Sequence, residues 1–237
     1  MGLPILQTPT ASIILPSTGQ EVTFRPFLVK EEKILLMAME SKTQKDITRA
    51  LKQVLESCVL SPKLDFGILP SFDIEYLFLN IRAKSVGEVI TLELGHDDKS
   101  ACSHKTEVDL DIDKIVPPKV DKKQLVLDIS DTIKVKMKWP TLTQVEKITD
   151  QNDPKQIFEL MTDCIELILE GDTVYEVSNF SKKEVMEFIE SSTSTQFKKY
   201  VDFFMNMPKL QYDIEYTCPV CKTSEKVHLE GLQSFFQ

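Results

Sequence analysis

Cys218-Pro-Val-Cys221 constrains this chain more than any other stretch of it. Two cysteines separated by two residues on a tight turn aim both sulfurs at one point, and a zinc–sulfur bond of ~2.3 Å suits such a turn. A tetrahedral ion takes four ligands, so the pair is half a site. The fold has to bring a second pair of Cys or His from elsewhere in the chain. The chain holds five cysteines, an odd number. Its opening residues lack a basic stretch followed by an apolar one, so no secretory signal is expected. Reduced thiols or a metal site are therefore expected rather than a disulfide framework.

The order of elements says where to look for the second pair. Two strand-like runs, 12–15 and 21–24, flank a Pro- and Gly-bearing turn and read as a hairpin. Helices follow over 29–41, from Thr43 through Cys58, and over 72–84, with Gly87 as a breaker. Runs 89–94 and 107–112 alternate apolar and polar residues, as half-exposed strands do. Pro117-Pro118 interrupts any helix or central strand and marks a boundary. The series then begins again. It has a hairpin over 124–129 and 132–139, a short helix over 141–148, and a helix from Pro154 to Glu170 stopped by Gly171. Helices over 182–190 and 195–207 and strands over 211–217 and 225–229 complete it.

The expected architecture is α+β. It comprises two pseudo-repeated lobes, residues 1–116 and 117–237, each with a β-hairpin, several helices and a strand-knuckle-strand. Laying Cys221 to Glu230 over Cys102 to Asp111 matches Cys221 with Cys102. Laying Tyr212 to Cys218 over Ile90 to His96 matches Cys218 with His96. The candidate ligands are thus His96, Cys102, Cys218 and Cys221, with His104 as the alternative fourth. They would form a structural, zinc-ribbon-like clip between the lobes. Four protein ligands leave no open position for a reacting water, so the expected role of zinc is structural.

Other residues carry less. Cys58 and Cys164 lie on apolar helical faces and read as core. His228, the Asp109/Asp111/Asp113 series and the Lys134/Lys136/Lys138 series read as solvated strand faces. No calcium loop, phosphate-cradling glycine loop or nucleophile–base set is found, so no enzyme and no small-molecule substrate are expected. With 28 basic against 37 acidic residues the formal charge is −9, which opposes phosphate neutralisation. Nucleic acid is not expected as a partner, and a zinc-ribbon nucleic-acid binder is the weaker alternative. No apolar run approaches the ~20 residues of a membrane span. The runs 34–39, 72–81 and 197–207, together with Phe235 and Phe236, hold more apolar side chain than one stripe needs. They fill a thick core or line an interface.

Several stretches resemble a known family. They are Ile14-Leu-Pro-Ser-Thr-Gly19, Phe24-Arg-Pro-Phe-Leu-Val-Lys-Glu-Glu-Lys-Ile-Leu-Leu36, Met39-Glu-Ser41, Phe72-Asp-Ile-Glu-Tyr76, Arg82-Ala-Lys-Ser-Val-Gly-Glu88 and Tyr216-Thr-Cys-Pro-Val-Cys221. Together they are similar to the T4-type bacteriophage baseplate hub and hub-assembly proteins. The resemblance implies a non-enzymatic part of a contractile-tail baseplate, or a factor that assists hub assembly. A dedicated assembly chaperone absent from the mature virion is the alternative that the apolar surface fits equally well. The resemblance implies other phage baseplate or hub proteins as partners. It also implies a location in the virion tail baseplate, or in the host cytoplasm during assembly.

Overall fold

The computed structural model describes residues 6–41, 43–96, 102–148 and 153–231, so Phe235 and Phe236 lie outside the described residues. The chain is α+β, with helices and small antiparallel sheets. It forms two compact units. One comprises 1–66, 72–118 and 209–237, and the other 67–71 and 119–208.

The first unit opens with β1 (Ala11–Ile14) and β2 (Glu21–Phe24), paired antiparallel. The Leu15 N–H donates to the Gln20 carbonyl at 2.9 Å and closes the turn. Helix α1 (Val29–Ser41) buries Ala38 but leaves Leu36, Met37 and Met39 exposed. In α2 (Gln44–Cys58), Ala50, Leu51, Val54, Leu55 and Cys58 are buried, and their three- and four-residue spacing puts them on one stripe. The backbone extends after Cys58 into β3 (Val59–Ser61), which pairs with β2. Helix α3 (Ser71–Val86) buries Phe72, Ile74, Leu77, Phe78, Leu79 and Ile81, too many for one face, so it is enclosed. Asp73 near its start is fully buried. Its carboxylate accepts the Ser17 backbone N–H at 3.0 Å and the Ser17 hydroxyl, pinning the first turn of the unit to this helix. Strands β4 (Val89–Leu94) and β5 (Thr106–Asp111) form a hairpin, and β4 alternates strictly between exposed and buried.

The second unit holds the four-stranded sheet β6 (Val126–Asp128), β7 (Ile133–Met137), β8 (Ile165–Glu170) and β9 (Thr173–Glu176), paired in that order. Helices α4 (Leu142–Val145) and α5 (Pro154–Cys164) lie between β7 and β8 in sequence, and α6 (Lys182–Glu190) and α7 (Ser194–Met205) follow β9. Asp153, Ser181 and Thr193 cap α5, α6 and α7 with their side-chain oxygens, each accepting an N–H of the first turn. Residues 67–71 belong here because the Ser71 N–H donates to the Pro140 carbonyl at 3.1 Å and Pro70 bridges to Thr141. Phe203 stacks on Trp139 with ring centroids 4.8 Å apart while Phe204 meets Phe203 edge-on, so the adjacent rings serve one cluster by turning at right angles.

The helix expected from Pro154 to Glu170 stops at Cys164. Ile165-Glu-Leu-Ile-Leu-Glu170 is strand, because the edge of β7 offers it a ladder of hydrogen bonds from Ile133 to Met137. The same step occurs in each unit. The Arg25 N–H donates to the Cys58 carbonyl at 3.0 Å, and the Lys138 N–H to the Cys164 carbonyl at 2.8 Å. A hairpin, a helix, and a second helix running straight into a strand on that hairpin therefore recur in order.

Residues 209–231 return to the first unit with β10 (Gln211–Thr217) and β11 (Ser224–Glu230), an antiparallel hairpin. Here the fold departs from the expected partition, which kept 117–237 together. Leu210, Ile214, Tyr216 and Leu229 share one core with Leu79, Ala83, Ile90, Leu92, Leu94, Leu110, Ile112 and Ile115. The two hairpins, distant in sequence, thus bury one another's apolar faces within a single unit.

Candidate metal centre

The turn of the last hairpin is built by backbone hydrogen bonds. The Cys218 N–H donates to the Thr223 carbonyl and the Lys222 N–H to the Cys218 carbonyl, each at 3.0 Å. Lys222 takes φ 61°, a left-handed conformation that costs a side-chain-bearing residue energy. This geometry turns backbone N–H groups toward sulfur. Cys218 accepts from Val220 and Cys221, Cys221 from Thr223, and Cys102 from His104. Amide donors around sulfur favour thiolate, the form that ligates.

The sequence-derived candidates come together. The ligand atoms of His96, Cys102, Cys218 and Cys221 all lie within 4.8 Å of one another. Cys218 is buried, His96 and Cys102 are half-buried, and Cys221 is exposed. His104, the alternative, is exposed and not among the converging four. All four belong to the first unit, so an ion held by them would join hairpin β4–β5 to hairpin β10–β11 inside that unit, not one lobe to another.

The donor set fits a tetrahedral ion. With bonds of ~2.3 Å to sulfur and ~2.0–2.1 Å to nitrogen, the edges of a tetrahedron are about 3.6–3.8 Å. Cys221 Sγ lies 3.4 Å from His96 Nε2. The widest separation within the group needs a contraction of only about 1 Å to reach that figure. Three soft sulfurs and one imidazole select zinc or a similar ion over magnesium or calcium.

Burial opposes ionisation of Cys218, yet the Cys221 and Val220 amides and the His96 ring overcome it and bring the thiol down to about 6. Cys221 is also lowered, chiefly by the Thr223 hydroxyl, 3.4 Å from its sulfur, and the Thr223 amide. Cys102 is shifted the other way. The His104 amide favours its thiolate, but burial and the two neighbouring cysteines outweigh it. The His96 side chain is 2 % exposed, and its Nδ1 lies 2.8 Å from Glu225 Oε1. The Glu225 carboxylate first, then Cys218, pushes the His96 ring up to about 9. Two supporting residues were not anticipated from sequence. They are Glu225 and Tyr216, whose hydroxyl donates to the Gly95 carbonyl at 2.7 Å. The signal was available in part: a ligating histidine needs an acceptor for its other ring nitrogen, and strand β11 carries acids.

The remaining candidates stay structural. The Cys58 thiol is pushed up to about 11 and that of Cys164 to about 12, both mainly by burial, as for inert core cysteines. His228 pairs with Asp213 at 2.7 Å on the exposed face of the last hairpin. Lys134 and Lys136 pair with Asp128 and Glu166 across strands. No described helix is long and apolar enough to cross a membrane.

A family model described as T4 bacteriophage base plate protein matches residues 8–237. No curated protein matches the chain. No solved structure matches it.

Proposed function

The chain belongs to the T4 bacteriophage base plate protein family, and on that premise we propose that it is a non-enzymatic building part of the tail baseplate, at or near its hub, working through protein–protein contacts. The match over nearly the whole chain carries this reading. Surface chemistry supports it. Leu36, Met37 and Met39 on α1, Met205 on α7 and Val220 at the knuckle tip are all at least half exposed. Adaptable thioether side chains suit a contact surface. The charge of −9 argues against a role on nucleic acid.

The second part of the proposal is a structural zinc ion held by His96, Cys102, Cys218 and Cys221. Bound there, the ion would supply no reactive position, only a cross-link between hairpin tips. Elemental analysis of the chain purified under reducing conditions should find one zinc per chain. Absence of bound metal in the reduced, folded protein would remove this part alone.

Quantitative mass spectrometry of purified virions tests the first part. Peptides of this chain at fixed stoichiometry with other baseplate proteins are expected. Abundance in infected cells with absence from finished particles would overturn the building-part reading in favour of an assembly chaperone.

A further inference from the structure

A histidine on one hairpin has to meet sulfurs on another with the correct ring nitrogen forward. We propose that Glu225 and Tyr216 are positioning residues that hold His96 as an Nε2 ligand before any ion arrives. This rests on reading the site as a metal centre.

Glu225 and Tyr216 are direct partners across the β10–β11 ladder, so both side chains leave the same face of that hairpin. They grip two consecutive residues of the facing segment. The Tyr216 hydroxyl donates to the Gly95 carbonyl at 2.7 Å, and Glu225 Oε1 lies 2.8 Å from His96 Nδ1. Ionised carboxylate accepts and does not donate, so Nδ1 carries the proton in that contact. With Nδ1 held there, Nε2 is the nitrogen left facing the sulfurs, 3.4 Å from Cys221 Sγ, where an incoming ion would displace any proton it carries. Tyr216 is 7 % exposed and part of the shared core, so the grip stands on a packed residue. A site set in advance spends less binding energy on ordering its ligands, which raises metal affinity. The carboxylate also makes the imidazole a stronger donor.

Cobalt(II) titration of the metal-free, reduced full chain, followed by zinc competition against a chromogenic chelator, tests this. E225A should lower zinc affinity by about 10- to 100-fold. Y216F should lower it by less, because the packed ring remains. The decisive comparison is E225A in an H96C background. A thiolate has no second nitrogen to hold, so the loss should vanish there. An equal loss in both backgrounds would mean that Glu225 merely supports the fold, and the proposal would be wrong. If H96C does not fold, nitrogen NMR of the zinc-loaded parent chain decides. Nε2 bound to metal with Nδ1 protonated is expected, and metal on Nδ1 overturns the proposal. A parent chain that takes up no cobalt would sink the metal reading itself, and this inference with it. Cobalt uptake with sulfur charge-transfer bands, left unchanged by E225A, would sink only the positioning role.

Discussion

If the proposed ion is bound, removing it should loosen two hairpins and spare the rest of the molecule. Strands β4–β5 and β10–β11 form two-stranded sheets, and an isolated hairpin is at best marginally stable in water. Two things hold them. One is the shared core, in which Ile90, Leu92, Leu94, Leu110, Leu210, Ile214 and Leu229 are each under a tenth exposed. At about 1.5–3 kcal/mol per buried aliphatic side chain, that core keeps the hairpins docked without metal. The other is the proposed clip at their tips. An ion at a free concentration one hundred times its Kd adds about 2.7 kcal/mol, and at one thousand times about 4.1 kcal/mol. Chelation should therefore leave the fold intact and raise the frequency of local opening by about 100- to 1,000-fold. Hydrogen exchange read by mass spectrometry in reductant, with and without chelator, gives this by peptide. Peptides covering 89–94, 106–111, 211–217 and 224–230 should exchange faster. Those covering the sheet β6–β7–β8–β9 should not change, because no ligand lies in that unit. Uniform acceleration, or acceleration greatest in β6–β9, would refute the local-clip argument.

Two further predictions concern the same unit. Lys222 at φ 61° is a side chain where glycine would be unstrained, so Lys222→Gly should raise stability by about 0.5 kcal/mol after the entropic cost of glycine. A higher urea midpoint at unchanged slope, with zinc affinity retained, is the expected result, and a lower midpoint contradicts it. Glu75 on α3 is pushed up to about 7, first by burial and then by the charge of Glu230. Its folded value lies above its unfolded one, so the stability it contributes is complete below about 4.5 and is lost as pH rises through about 7. Glu75→Gln should thus gain on the parent chain between pH 5 and pH 8, by on the order of 2 kcal/mol once partial solvent screening is allowed for. Urea unfolding at the two pH values checks it, and a gain independent of pH would refute the assignment.

The hairpins were legible in the sequence because a half-buried strand writes its own pattern. Val89-Ile-Thr-Leu-Glu-Leu94 alternates exposed and buried without exception. The stretch after Cys164 was not legible for the converse reason. Ile165, Leu167, Ile168 and Leu169 satisfy a helical stripe as well as a strand, and local propensity does not separate the two. What decides is β7, whose free edge is a fact of tertiary structure. The same cause misplaced the last hairpin. Contiguity in the chain suggests that 211–230 packs with what precedes it. Yet Leu210, Ile214, Tyr216 and Leu229 find their apolar partners on β4, β5 and α3.

At the site, legibility follows how much the chemistry restricts residue type. A tetrahedral ion accepts few ligand kinds at few spacings, so Cys218 and Cys221 stand out alone. His96 and Cys102 then follow from matching one strand-turn-strand to the other. Glu225 has no such restriction. In Ser-Glu-Lys-Val-His-Leu-Glu230 it reads as one more solvated acid, since charged residues line the wet face of most strands. Its distinction arises only from register, which sets it opposite Tyr216 and against the segment carrying His96. A shift of one residue in that register would turn Glu225 to the other face and bring Ser224 or Lys226 toward the ring. Lys226 has no acceptor, and the Ser224 hydroxyl is short and uncharged, so neither replaces the carboxylate against Nδ1. The pairing of β10 with β11 is thus as much a determinant of the proposed site as the cysteines are, and substitutions that slip it should abolish the proposed metal binding while His96, Cys102, Cys218 and Cys221 all remain in the chain.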